Sequence, residues 1–212
     1  MTSPRVDYDV HGRTYTRHRR PDPRIAAAVW AALGDAETVV NVGAGAGSYE
    51  PEDRWVLAVE PSAVMRAQRP PGAAPAIAAR AEALPFDDGG VDATMASITI
   101  HHWTSVEDGL RELARVARRR VVILTFDLAH LPVWQQEHLA EGLEIERPRF
   151  PSLERVVAAL PGTVRVQRLP TPADCADGFF EAFWNRPEAL LEPDVRASQS
   201  MWALLPEGVE DR

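Results

Sequence analysis

The sequence predicts an α/β protein, a doubly wound and mostly parallel sheet with helices on both faces and a helical cover at its C-terminal end. Three observations predict it. Short apolar runs alternate with helical patterns between residues 25 and 128. Those runs are nearly continuous in apolar character, as strands buried on both faces of a parallel sheet are. The first of them also leads straight into VVNVGAGAGSYE at 39–50, a glycine-rich turn that lets a ligand lie against bare backbone.

Each element has its own signal. IAAAVWAALG (25–34) reads as a helix, with Pro23 near its start and Gly34 as its stop. TVVNV is a β-branched strand running into the glycines, and WVLAVE (55–60) is a second strand. SAVMRAQR forms a short helix behind it, and the Pro70-Pro71 pair a linker. AAPAIAA (73–79) is a weak third strand and VDATMASITI (91–100) a fourth. SVEDGLRELARVARR (105–119) reads as a helix whose end carries Arg115, Arg118, Arg119 and Arg120, where cations complement the helix dipole. VVILTFDL (121–128) is a fifth strand. Beyond Leu128, AHLPVWQQEHLAEGLEIERPRFPSLERVVAAL holds two helices, and TVRVQRLP (163–170) reads as a strand. Phe179, Phe180, Phe183 and Trp184 then recur at helical spacing, either as the packing face of an amphipathic helix or as the lining of a pocket.

Composition narrows the function classes. A chain of 212 residues and 23.4 kDa, 45% apolar and 25% charged, is an ordinary soluble domain with one sizeable core. A net charge of −8 and a pI near 5.3 argue against a dedicated nucleic-acid binder, which needs clustered Lys and Arg. RHRR at 17–20 is the local exception. The single Cys175 allows no intrachain disulfide and fits a reducing compartment. No apolar run approaches the ~20 residues of a membrane span, and the first twenty residues lack the apolar stretch of a signal peptide. These features predict a cytoplasmic protein without membrane or nucleic-acid partners. His130 and His138 with Asp127 lack a metal-ligand spacing, so no metal is expected.

The ligand of the glycine turn is the open question. In the dinucleotide fingerprint G-x-G-x-x-G, Gly43 and Gly45 match the first two places, but Ser48 stands at the third and Gly47 falls one position early. A tight turn without a ligand is the plain alternative. Glu60 favours a ligand: at the end of the second strand, a carboxylate can accept hydrogen bonds from both hydroxyls of a ribose. NAD and S-adenosylmethionine both carry such a ribose, so Glu60 does not choose between them.

Four stretches do choose. VVNVGAGAGSYE, AVEPS, AEALPFDDGGVDATMASITIHHW and LRELARV, in this order and spacing, resemble the class I S-adenosylmethionine-dependent methyltransferases. The small-molecule branch similar to the ubiquinone and menaquinone biosynthesis enzymes is nearest in pattern. YDVHGRTYTRHRRPDPRI is similar to the N-terminal segment that closes over the cofactor in that family. The resemblance spans residues 8–128 well, and FPSLERVVAAL and DGFFEAFWNRPEALL more loosely. It implies a Rossmann-like cofactor-binding core over 1–128, with an N-terminal clasp of about 1–24. Residues 129–212 would supply the remaining sheet strand and a helical substrate cover, without forming an independent domain.

The resemblance also implies roles. Asn41, Gly43, Ala44, Gly45 and Gly47 would lie along the methionyl and ribose portions of S-adenosylmethionine. Many relatives carry Asp where Asn41 stands, which weakens a charged contact to the ammonium group. Glu60 would hold the ribose, Pro61 and Ser62 would flank the adenine, and Ala81 and Glu82 would border its edge. Ser97, Ile98 and His102 would lie near the sulfonium and the substrate, and Tyr15 and Arg17 in the clasp. Histidine is the side chain best poised to act as a base near neutrality, which makes His101 and His102 the candidate catalytic residues. Nucleic-acid amino-methyltransferases carry an N-P-P-Y-like tetrapeptide after the fourth strand; SITI-HHW occupies that place and points to a small-molecule acceptor. The family sheet ends in a hairpin, for which TVRVQRLP can give one arm, but nothing after Trp202 reads as the other. The expectation is a chain shortened before its terminal antiparallel strand, or a sheet closed differently, with an open edge. An NAD(P)-dependent oxidoreductase and a non-catalytic S-adenosylmethionine- or S-adenosylhomocysteine-binding protein are the alternatives. Ser48 and the lack of a recognisable hydride-transfer group count against the first.

Overall fold

Five apolar runs pair into one sheet in the computed structural model, which describes residues 6–209. They are β1 (Thr38–Val42), β2 (Trp55–Val59), β3 (Ala76–Ile77), β4 (Val91–Ser97) and β5 (Ala117–Leu124). All neighbours pair in parallel, in the order β3-β2-β1-β4-β5, with Val40 opposite both Leu57 and Thr94. The order of strand addition reverses beside β1: the chain steps outward through β2 and β3, then returns to add β4 and β5 on the other side. Loops leaving β1 and β4 therefore diverge, and a crevice opens beyond the strands' C-terminal ends.

Helices follow from their ends. In α1 (Tyr8–His11) the Asp7 carboxylate accepts the Asp9 amide. Asp22 starts α2 (Pro23–Leu33) by accepting the Arg24 amide, with a proline in the first turn, and Gly34 at φ +59° stops it. Ser62 caps α3 (Ala63–Ala67), and Ser105 caps α4 (Val106–Val116). Beyond the sheet come α5 (Val133–His138), α6 (Ala140–Glu146) and α7 (Leu153–Ala159), three helices in the stretch expected to hold two, and then α8 (Pro193–Ala197). Successive residues of β1 point to opposite faces, and two cores result. Val39, Val56 and Met95 pack with Ile25, Val29 and Leu33 of α2 and with Phe179 and Phe183 of the cover. Val40, Val59 and Ala96 pack with Leu110 and Leu113 of α4 and Val156 of α7.

Three expectations are corrected. The fifth strand begins at Ala117, not at residue 121, so Arg118, Arg119 and Arg120 lie in β5 rather than at a helix end. Arg120 pairs with Ala93 of β4 beyond a shift in register, and Arg118 and Arg119 reach Asp92 and Asp35. Only Arg115 stays on the helix, bound to Glu112. Residues 163–170 form no strand: just Val164 and Leu169 are partly covered, and no half-buried face forms to hold a ladder partner. Among the described residues the sheet ends at β5, whose exposed arginines blunt the free edge. The aromatic stretch is one 3-10 turn, Phe180–Phe183, instead of an amphipathic helix.

Candidate active site

The glycine turn is held by its neighbours. Gly43 has φ +67°, and a Cβ there would come within 2.9 Å of the Thr99 side chain, so only glycine fits. Gly43 and Ala44 donate their amides to the Val59 carbonyl. The Gly45 amide donates to Glu60 Oε2 at 2.9 Å, and the Ser62 amide to Oε1 at 2.8 Å. Each oxygen keeps a second acceptor position. Glu60 is 7% exposed, and burial raises its carboxyl above the usual range against the lowering pull of those two amides. Asn41 donates to Glu50 Oε1 at 3.0 Å, and Glu50 in turn pairs with Arg69 at 2.6 Å. Its own Oδ1 is buried without a partner. The charge expected at 41 therefore stands one side chain further on, at Glu50, where Arg69 balances it.

A cavity of about 530 Å³ opens over this turn, at the sheet's switch point. Of the residues expected in the cofactor site, Asn41, Gly43, Ala44, Gly45, Glu60, Ser97, Ile98 and Tyr15 line it, and so does His102. The structure places the others elsewhere. Gly47 sits against Arg69, Pro61 is exposed, and Ser62 caps α3 and bonds Asp9. Ala81 is packed in the core with Leu84 and Ile100. Glu82 accepts the Thr104 and Ser105 amides at the start of α4. Arg17 faces Asp194 at 3.5 Å on the surface. Tyr8, Arg19, Tyr49, Met65 and Thr99 also line the cavity, and no local spacing announced them.

A second cavity, of about 520 Å³, adjoins the first and shares Tyr8, Arg19, Ile98 and His102 with it. Phe126, Phe150, Phe179 and Phe180 give it an apolar lining, and Glu146, Glu181 and His101 add titratable groups. Phe183 belongs to the core behind it, and Trp184 is 37% exposed.

The two histidines are not equivalent. His102 Nδ1 lies 3.0 Å from Arg149 Nη2, and Nε2 lies 2.9 Å from the Tyr8 hydroxyl. A guanidinium only donates, so Nδ1 accepts and Nε2 carries the proton, a tautomer assigned from this network. Burial, then Arg149, holds its pKa well below the ordinary value. Both nitrogens are engaged, and His102 has no lone pair left to take a proton. His101 stacks on Phe150 at 4.0 Å, with Nδ1 buried and unpartnered. Burial, then His102, likewise pulls its pKa far down.

Clasp and cover meet at Asp177, which accepts Arg19 Nε at 2.8 Å and the Tyr49 hydroxyl at 2.6 Å. Asp9 adds a bond from Ser62 at 2.6 Å, so the N-terminal segment lies over the first cavity.

Residues 40–125 match the family model described as a methyltransferase domain. A crystal structure from Anabaena variabilis ATCC 29413, described as a methyltransferase from an antibiotic biosynthesis pathway, is 30% identical with a TM-score of 0.83. The match covers 94% of this chain and 84% of that one. A methyltransferase from Thermotoga maritima shares the fold at 20% identity, over 72% of this chain and 71% of its own, with a TM-score of 0.52. So does the geranyl diphosphate C-methyltransferase of Streptomyces coelicolor A3(2), solved with Mg²⁺, geranyl diphosphate and S-adenosylhomocysteine, at 18% identity, 65% and 58% coverage and a TM-score of 0.52. No curated protein matches the sequence. Likeness of that extent to the Anabaena protein, added to the sheet order and the glycine turn, settles the family: the chain belongs to the class I S-adenosylmethionine-dependent methyltransferases.

Proposed function

We propose that the protein methylates a small organic acceptor, with S-adenosylmethionine in the first cavity and the acceptor in the second. One observation carries this reading: the two cavities share a wall at Tyr8, Arg19, Ile98 and His102, so two bound molecules would meet there. Alignment of that kind is worth effective molarities of ~10⁵ to 10⁸ M for well-oriented pairs. Bound there, S-adenosylmethionine supplies a methyl carbon already activated by its sulfonium.

The residues present suit that group. Glu60 has free acceptor positions for two ribose hydroxyls, and the unpartnered Asn41 Oδ1 is an acceptor for an ammonium. Gly43 and Gly45 leave their backbone open to the cavity. His102, locked as a neutral tautomer, directs Nε2–H to Tyr8 and leaves the Tyr8 hydroxyl proton free to donate at the shared wall. Burial keeps that phenol protonated, raising its pKa far above the ordinary value. Arg19 of the clasp and Asp177 of the cover tie the two segments together beside the cavities. We read residues 1–128 as the cofactor core with its clasp and 129–212 as the substrate cover. Support comes from Phe179 and Phe183, which pack in one core with Val39 and Val56 and so tie the cover to the sheet.

A cleft with an aromatic lining and a few titratable groups suits a small molecule rather than a macromolecule, and the acidic surface gives a nucleic acid little to bind. The buried, unpaired Cys175 supports a reducing, cytoplasmic setting. Among the described residues no helix is long and apolar enough to cross a membrane. Calorimetric titration with S-adenosylmethionine, S-adenosylhomocysteine and NAD(H) tests the reading. Both sulfur nucleosides are expected to bind and NAD(H) not to. Tight NAD(H) binding without a response to either sulfur nucleoside would overturn it.

A further inference from the structure

One carboxyl on the second cavity has no counter-ion among the described residues. Glu146 pairs with Arg149 at 2.6 Å, and Arg19 pairs with Asp177 at 2.8 Å, so these four cancel in two pairs. Glu181 stands apart. Its Oε2 is buried and accepts no hydrogen bond, and among the described residues no cation forms an ion pair with it. Its surroundings are aromatic: Phe126 lies 4.9 Å from Phe179 and 6.3 Å from Phe150, ring to ring, on the same cavity wall. An isolated carboxylate beside phenylalanine rings is costly unless a cation arrives to meet both. A neutral alcohol would gain no ion pair there, and an anionic acceptor would hold Glu181 in its protonated form and gain none either.

We propose that the acceptor is a primary or secondary amine on an apolar, phenyl-sized body, with its nitrogen against Glu181 Oε2 and its body among the phenylalanines. The proposal rests on reading the two cavities as donor and acceptor sites. Glu181 then acts as the base. A nitrogen–hydrogen bond of the bound ammonium breaks, an oxygen–hydrogen bond forms at Oε2, and the electron pair stays on nitrogen, free for methylation. Burial pushes the Glu181 carboxyl up to about 8; its own backbone amide and Arg19 oppose that, and Glu146 adds to it. A base so placed is matched to an amine. The other titratable groups on the cavity, Tyr8, His101 and His102, are held neutral by burial and do not compete for the proton. Near neutral pH Glu181 is protonated while the cavity lacks the amine, so capture of an ammonium releases that proton to the buffer.

The test is calorimetry on the protein saturated with S-adenosylhomocysteine, in two buffers of different ionisation enthalpy near neutral pH. The probes are phenylethylamine, phenylethanol and phenylpropionate. The amine is expected to bind at least about tenfold more tightly than the other two, with release of close to one proton. In Glu181→Gln the preference and the proton release should vanish, while affinity for S-adenosylhomocysteine stays within about twofold. Equal or tighter binding of the alcohol or the carboxylate overturns the proposal, as does failure of the amine to bind. Persistence of the preference and the proton release in Glu181→Gln overturns it too. Failure of the wild-type protein to bind S-adenosylhomocysteine is a separate result that brings down the donor reading itself. The wild-type comparison of the three probes stands even where the variant folds poorly.

Discussion

Asp177→Ala is expected to destabilise the fold by about 3–5 kcal/mol, the usual cost of breaking a buried ion pair from one side. The Asp177 side chain is fully buried, and its partner Arg19 is 8% exposed. One oxygen accepts from Arg19 Nε and the Gly178 amide, the other from the Tyr49 hydroxyl. Truncation strands a guanidinium and a phenol together, both almost wholly buried. The damage reaches three segments that are far apart in sequence. Arg19 belongs to the clasp, Tyr49 to the glycine turn and Asp177 to the cover. Tyr49 also sits at φ +65°, a conformation a tyrosine rarely adopts, and the buried bond to Asp177 helps to hold it there. Denaturant midpoints measure the loss. Asp177→Asn, which keeps an acceptor but not the charge, should fall between the wild type and the alanine variant. The surface pair Arg17–Asp194, with both partners largely exposed, is the control, and Asp194→Ala should leave the midpoint nearly unchanged. If Asp177→Ala unfolds at the wild-type midpoint, Asp177 does not fasten the clasp to the cover.

How much of this was legible beforehand depended on the range over which each feature is decided. β1, α2 and the glycine turn were legible because their signals are local: TVVNV has the composition of a buried strand, Pro23 and Gly34 mark the helix ends, and a positive φ needs glycine. The start of β5 was not. VARRRVV continues a helical pattern smoothly, and only pairing with β4 and the acids at 35 and 92 pulls Arg118–Arg120 into a strand. The state of His102 is set by Tyr8 and Arg149, which lie 94 and 47 positions away, so its pairing could suggest a base but not its tautomer. The basic run at 17–20 hid a division of labour, with Arg17 turned to the surface and Arg19 inward to Asp177. Glu181 was masked by its neighbours. Amid FFEAFW the spacing of the aromatic residues carried the signal, and nothing local showed that the 3-10 turn brings this carboxyl into the aromatic cavity.

Glu60→Ala is expected to weaken binding of S-adenosylhomocysteine by roughly 10- to 150-fold, since hydrogen bonds to a charged group are worth ~1.5–3 kcal/mol. The argument is geometric before it is electrostatic. Gly45 and Ser62 already fix both carboxylate oxygens, so the acceptor positions left over are pre-aimed into the first cavity. The pH dependence gives an independent check. The ionised carboxylate accepts from two hydroxyls, whereas the protonated form has one oxygen committed as a donor. Burial raises the Glu60 pKa, so wild-type affinity should fall as pH drops through that raised value, at a higher pH than for an exposed glutamate. Ligand binding stabilises the ionised form, so the complex should titrate lower than the free protein. Glu60→Gln keeps the shape but turns one oxygen into an amide donor facing a backbone N–H, and it should lose affinity together with this acid limb. A wild-type acid limb that survived unchanged in Glu60→Gln would belong to another group and would remove Glu60 from the ribose site.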